Sequence, residues 1–311
     1  MHAITMVKKL TFYNRMPSGI RHGMRQALLA ALLAAKGIRI SVSNGSATLS
    51  KGERKVILLS DDETDVLLAV RNFDKLFCIS CLEPEYGKVI DFISGVKIFG
   101  YDVTTNTASA LELDTAIMAY NSHQAIKQGD IVLDCGSCHG MYALYASQKA
   151  GKSGKIFCLE PDSKNFHIIQ ENIRRNGISN VFPVMAGLWS KSGKLEFTDD
   201  GMGVRALPAG KCGKSLSIDV VSLEDFFKSQ KLSKIDFVKM DIEGAEVEAL
   251  QSSQEFIKNA KPSFAIASYH VKNGEKTAVF LEKYFDSLGY DFVTENPRHL
   301  TTYAWPKASE L

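Results

Sequence analysis

Ten residues, Ile131–Gly140 (I-V-L-D-C-G-S-C-H-G), constrain this chain more than any other stretch. An apolar run, Ile131 to Leu133, ends in an acid, Asp134. Gly136 and Gly140 then bracket a short loop before the helical pattern M-Y-A-L-Y-A-S-Q-K-A. The pattern predicts a buried parallel strand, a tight turn and the start of a helix. Glycine lets backbone come close to a ligand, and a helix N-terminus offers N–H groups and positive partial charge to an anion.

The loop reads G-x-x-x-G, not the G-x-G-x-x-G of dinucleotide enzymes, and no Gly-Lys-Ser/Thr follows as in a P-loop. On its own such a loop says little. A second strand-like run, K-I-F-C-L-E, ends in Glu160, 24 residues after Gly136. A carboxylate there is placed to accept both ribose hydroxyls of a nucleoside. Asp134 and Glu160 around a glycine loop are what an S-adenosylmethionine (SAM) site requires.

The chain of 311 residues is 45% apolar, enough for one large or two smaller cores. Its net charge of +2 points to no polyanion partner for the whole molecule. The distribution is uneven, because residues 1–52 hold eight Lys/Arg (Lys8, Lys9, Arg15, Arg21, Arg25, Lys36, Arg39, Lys51) and no acid. Such a leader suits a solvated basic face, a surface for anionic lipid or nucleic acid, or a transit peptide. The apolar run Ala27–Ala35 behind it is far shorter than the ~20 residues a bilayer span needs, and is expected to pack on protein. Peripheral membrane contact is the minority expectation. Six cysteines (78, 81, 135, 138, 158, 212) include two C-x-x-C pairs at a separation outside zinc-ribbon spacing. They read as small buried thiols, reduced, in a cytoplasmic protein.

Residues 1–110 are expected to form an α+β region that covers the cofactor or shapes the substrate pocket. It has strands at Ile38–Ser43 and Val56–Leu59 around an S-N-G-S turn, helical spacing over Glu63–Phe77, and a strand over Val96–Val103. A helix over Leu113–Lys127 leads into a domain at 111–311. There, strands at 131–135, 155–160, 181–186, 235–240 and 263–269 alternate with helices at 140–150, 163–176, 243–258 and 275–288. A hairpin insertion (Lys194–Thr198, Leu216–Val221) interrupts them, and strands at 291–295 and 301–305 close the run. The fold class is therefore α/β, with a doubly wound, mostly parallel Rossmann-like sheet and a C-terminal antiparallel hairpin. Ligands in such sheets lie beyond the carboxyl ends of the strands. That selects Asp134, Glu160, Ala186, Asp241 and His270.

The stretch Asp236–Leu250 (D-F-V-K-M-D-I-E-G-A-E-V-E-A-L) is the second unusual feature. Asp241 closes a strand and faces the crevice, and Lys239 shares its face by alternation. Glu243 and Glu246 fall in the first helical turn, where acids suit the helix dipole.

With these residues in hand, the chain resembles the FkbM-type family of SAM-dependent methyltransferases. Three matches carry the resemblance: D-C-G-S-C-H-G-M-Y, E-P-D-S-K-N-F-H-I-I-Q-E-N-I-R-R-N-G at 160–177, and V-K-M-D-I-E-G-A-E-V-E-A-L at 238–250. It implies that Asp134, Gly136 and Gly140 hold the methionine end of SAM, that Glu160 holds the ribose, and that the segment around Ala186 flanks the adenine. Two positions depart from the family: Ser137–Cys138 stands where it usually has Ala-Asn, and Ser268 where it often has an acid before the histidine.

Methyl transfer to a hydroxyl needs alignment and a base. His270 is the first candidate base, because an unperturbed histidine titrates near neutrality, and Asp241 the second, as base or orienter. His139, inside the loop, is expected to pack on the cofactor. No metal site is assigned; a Mg²⁺-assisted version with Asp241 and Glu243 or His270 ranks below the metal-free one. The expected acceptor is a hydroxyl on a sugar, glycan or secondary metabolite. Rival readings are an NAD-dependent oxidoreductase, a nucleic-acid methyltransferase supported only by the basic leader, and a non-catalytic binding module.

Overall fold

The computed structural model describes residues 18–199, 204–206, 215–296 and 298–307. Lys8, Lys9, Arg15 and Cys212 lie outside them. The chain divides into two compact units, one ending at Asp114 and the other starting at Thr115.

In the first unit a helix, Ser18–Lys36, precedes a sheet of Arg39–Ser43, Ser46–Lys51, Arg54–Leu58 and Val89–Asp91. Asn44 and Gly45 both take positive φ (51° and 75°), as a two-residue hairpin requires. The strand after that turn, S-A-T-L-S-K, escaped sequence reading because only Ala47 and Leu49 are apolar; both are fully buried. The strand expected over Val96–Val103 is two short ones, Val96–Ile98 and Tyr101–Val103. Phe99 and Gly100, at φ 53° and 78°, fold it into a hairpin. Two helices, Glu63–Arg71 and Phe73–Leu76, bury Val66, Leu67, Val70 and Phe73. The helix expected over Leu113–Lys127 runs instead over Thr107–Tyr120.

The second unit is built on seven strands: β1 (Ile131–Cys135), β2 (Lys155–Leu159), β3 (Val181–Val184), β4 (Phe237–Met240), β5 (Ser263–Ala267), β6 (Tyr290–Glu295) and β7 (Thr301–Pro306). Their order is β3-β2-β1-β4-β5-β7-β6. The first five are parallel, and the β6–β7 hairpin adds antiparallel to β5. This is the expected α/β sheet. Strand order reverses between β1 and β4, so the crevice opens beyond the carboxyl ends of these two neighbours.

Six helices cover the sheet: α1 (Met141–Ala150), α2 (Ser163–Arg175), α3 (Leu223–Ser229), α4 (Glu246–Gln251), α5 (Gln254–Ala260) and α6 (Thr277–Ser287). Asp162 starts α2 by accepting the Lys164 and Asn165 N–H groups, a cap worth ~1 kcal/mol. The single helix expected over 243–258 is broken into α4 and α5, where Ser253 turns its hydroxyl back onto the Ala249 carbonyl at 2.8 Å. The core joins Leu133, Phe157, Val238, Met240, Phe264 and Ile266 of the sheet with Leu281 and Phe285 of α6. Each such side chain contributes ~1.5–3 kcal/mol by leaving water. The insertion forms a separate sheet of Gly187–Leu188, Gly193–Asp199, Val204–Ala206 and Ser215–Val221. No helix among the described residues is long and apolar enough to cross a membrane.

Candidate active site

Parallel register places Asp134 of β1 directly beside Lys239 of β4. Their side chains, 0% and 6% exposed, form an ion pair at 2.9 Å. Burial disfavours the Lys239 ammonium, but the charges of Asp134 and Asp241 outweigh it and raise its pKa above the usual lysine value. The ammonium also donates to the Gly136 carbonyl at 2.8 Å. Through this pair Asp134 holds Lys239 against the turn after β1.

The two loop glycines have different reasons. Gly136 sits at φ 77°, and a Cβ there would lie 1.9 Å from the Asp241 carbonyl oxygen. Its close approach is to the backbone after β4. Gly140 starts α1 in the left-handed conformation, against Ile169. The loop amides are also spoken for. Gly136 and Ser137 donate to the Leu159 carbonyl at 3.0 and 3.1 Å, and Gly140 to the Ser137 carbonyl at 2.7 Å. The Cys138 N–H donates to Glu160 Oε2 at 2.8 Å. These four N–H groups, expected to be open to an anion, are engaged within the protein.

Glu160, at the tip of β2, is buried and bridges the loop and the start of α2, its Oε1 accepting the Asp162 N–H at 3.0 Å. Burial pushes its pKa up to about 7 against the pull of the Asp162 and Cys138 amides. A carboxylate has about four accepting lone-pair sites, so Glu160 can still accept from a ligand hydroxyl such as those of a ribose. His139 is 4% exposed and hydrogen-bonded to Asn165 of α2; burial pushes its pKa down. It is anchored by α2. Ala186 is buried just beyond β3.

Asp241 ends β4 and gathers a cluster. Its Oδ2 accepts the Tyr120 hydroxyl at 2.8 Å, and the Tyr269 hydroxyl lies 3.2 Å from both oxygens. His270 Nε2 stands 3.5 Å from Oδ1 and His299 Nε2 3.8 Å from Oδ2. Burial opposes ionisation of Asp241, but the nearby His299 and the charges of Lys239 and His270 hold its pKa at about 2. His270 is buried between carboxylates. Burial works against its charge, yet Glu246, then Asp241 and Glu243, raise its pKa above the ordinary histidine value. The near-neutral titration expected of His270 is thus displaced upward. Glu246 is not a surface dipole partner: it is fully buried, its Oε1 accepting the Ile242 N–H at 3.0 Å and facing His270 Nδ1 at 3.2 Å.

The structure sets the two candidates Asp241 and His270 3.5 Å apart and adds Tyr120, Tyr269 and His299, which sequence reading missed. Tyr269 could have been noticed beside His270. Tyr120 and His299 belong to no motif and reach Asp241 only through the fold.

This sheet order, with a carboxylate-gripped glycine loop and a polar cluster at the switch point, defines a Rossmann-like methyltransferase domain. The chain belongs to the FkbM methyltransferase family, whose domain profile matches residues 134–292. It is 28% identical over 144 residues to the hexuronic acid methyltransferase AglP of Haloferax volcanii, a match covering 46% of this chain and 57% of that protein. The match thus spans little more than half of the relative's length. Solved structures similar to the chain include the methyltransferase FkbM of Methylobacillus flagellatus (TM-score 0.43, 19% identity, covering 76% of this chain and 60% of that one). Another is Aeropyrum pernix fibrillarin with natively bound S-adenosyl-L-methionine (TM-score 0.41, 12% identity, 86% and 98%).

Proposed function

We propose that this protein is a SAM-dependent methyltransferase acting on a hydroxyl of a sugar or glycan. The observation that carries the reading is the continuity of two sites across adjacent strands. The Glu160-gripped loop follows β1 and β2, and the Asp241 cluster follows β4, in backbone contact with Gly136. Glu160 would hold the ribose hydroxyls, the loop from Gly136 to Gly140 the methionine end, and the Ala186 segment the adenine. SAM, when bound, supplies an electrophilic methyl group on a sulfonium.

Alignment of two reactants can be worth ~7–11 kcal/mol of barrier, and aligning them is the protein's main task. Asp241 is suited to orient the acceptor hydroxyl, since Tyr120 and Tyr269 fix its carboxylate from two sides. With no ion bound, Asp241 and His270 are the groups placed to receive the acceptor's proton, a contribution of ~10²–10⁴-fold. AglP, named for methylation of a hexuronic acid, favours a sugar acceptor over a polyketide-like one. The rival dinucleotide reading is disfavoured because the loop lacks the G-x-G-x-x-G pattern that lets backbone approach a pyrophosphate.

Calorimetric titration with SAM and, separately, with NAD tests the reading. SAM binding that disappears in Glu160→Ala supports it and opens a screen of hexoses and uronic acids with label transfer from methyl-labelled SAM. A folded protein that ignores SAM, or binds NAD instead, would sink it.

A further inference from the structure

The motif K-M-D-I-E-G-A-E (Lys239–Glu246) puts four charged side chains at one strand end, and methyl transfer as read above uses only part of them. Lys239 belongs to Asp134. The other three surround His270. Its ring is 9% exposed, and neither nitrogen makes a well-formed hydrogen bond. Nε2 faces Asp241 Oδ1 at 3.5 Å and Glu243 Oε2 at 3.7 Å. Such separations are long for a hydrogen bond. Separations of this order suit donors that share an ion: two atoms each ~2.1 Å from one metal and ~110–125° apart lie about 3.4–3.7 Å from each other.

The geometry points to a binding site for one divalent transition-metal ion at Nε2 of His270, with Asp241 Oδ1 and Glu243 Oε2 as its carboxylate ligands. Glu246 also lies close to the group, one donor atom each of Asp241, Glu246 and His270 falling within 4.8 Å of one another. However, the lone pairs of the two imidazole nitrogens diverge, so an ion on Nε2 has Glu246 behind the ring on Nδ1. That is the position of the carboxylate that orients a metal-bound histidine and fixes its tautomer. Of the two Asp241 oxygens, Oδ2 is taken by Tyr120 and approached by His299, while Oδ1 shares the Tyr269 hydroxyl at 3.2 Å and is the one that faces His270 Nε2. One imidazole and two carboxylates suit manganese, iron or zinc better than the all-oxygen preference of magnesium or calcium.

The chain invests in this arrangement. Glu243 holds φ 57°, a left-handed conformation that costs a non-glycine residue ~1–2 kcal/mol, at the turn that sends its side chain toward His270. It is 48% exposed, so the ion would face the crevice with positions open to an acceptor's oxygens. Ser268, two residues before His270, is fully buried and hydrogen-bonded to the Leu300 carbonyl, so it supplies no ligand. The consequence for catalysis rests on the proposed methyl transfer: a metal-bound hydroxyl is acidified by the ion's charge. Nε2 can hold the ion or take the acceptor's proton, not both.

The test uses metal-stripped full-length protein titrated with Mn²⁺, free ion being followed by its paramagnetic resonance signal, and with Zn²⁺ by calorimetry. One ion per chain is expected. Glu243→Gln and His270→Ala should each weaken binding at least ~10-fold, and Glu246→Gln ~10–100-fold. Glu243 is half-exposed, so Glu243→Gln reads the site independently of any folding defect in His270→Ala. Absence of saturable binding of both ions by folded wild-type protein overturns the site, as does binding that Glu243→Gln leaves unchanged. Glu160→Ala separates the two readings: it should lose SAM and keep the ion. A wild-type chain that binds the ion but not SAM would refute methyl transfer and leave the metal site standing.

Discussion

Glu160 grips Cys138: the carboxylate at the tip of β2 accepts the N–H at the crown of the glycine loop at 2.8 Å. The acid and the loop thus form one unit before any ligand arrives. That acid titrates at about 7, above its ordinary 4.5, because burial is incompletely offset. Ribose hydroxyls donate to an ionised carboxylate, so SAM affinity should rise with pH through about 7. Below that value, binding should release a proton. Calorimetry in buffers of different ionisation enthalpy measures the released proton directly, and Glu160→Gln should abolish both effects.

The same shift has the opposite sign for the free protein. Glu160 is harder to ionise folded than unfolded, so its contribution to stability is fully present below about pH 4.5 and is lost as pH rises through about 7. Glu160→Gln should therefore stabilise the ligand-free chain at pH 8, by roughly 1–3 kcal/mol, while weakening SAM binding. Denaturant melts at pH 5 and pH 8 check this; equal effects at both would refute it.

Lys239→Met leaves Asp134 as an uncompensated charge inside the sheet. A loss of ~3–5 kcal/mol is expected. The double variant Asp134→Asn/Lys239→Met should recover most of it, since no buried charge then remains unpaired. Urea unfolding of the single and double variants gives the coupling.

Gly136→Ala and Gly140→Ala should separate sharply. Both add left-handed strain of ~1–2 kcal/mol. At Gly136 the new methyl also meets a backbone oxygen at 1.9 Å, whereas at Gly140 it meets the Ile169 side chain at 3.3 Å, which can shift. Gly136→Ala should cost more than ~3 kcal/mol or prevent folding, while Gly140→Ala should fold with a lowered melting temperature.

Tyr120→Phe and Tyr269→Phe each remove a hydroxyl from Asp241 without touching the Glu160 cradle. Methyl transfer should fall ~10–100-fold in each, with the SAM Kd within a few-fold of wild type. Asp241→Asn should fall further, by ~10²–10⁴. A matching loss of SAM affinity would show that these tyrosines support the cofactor rather than the acceptor.

The sequence by itself determined the parallel sheet and the strand-tip acids. Apolar runs ending in Asp134, Glu160 and Asp241 are local patterns, and strand alternation converts them into ligand-facing or inward positions. It also placed Lys239 on the Asp241 face. It could not say that Asp134 opposes Lys239, because the register between β1 and β4, some 105 residues apart in the chain, is set by the packing of the whole sheet. For the same reason it read the loop amides as open and Glu246 as a dipole partner. Whether an amide or a carboxylate is free depends on which distant groups burial brings against it, here Leu159 and Glu160 for the loop and His270 for Glu246. Tyr120 and His299 meet at 3.3 Å across 179 residues. Only the tertiary structure could join them, because no local spacing encodes a contact made by separate elements docking on one strand end.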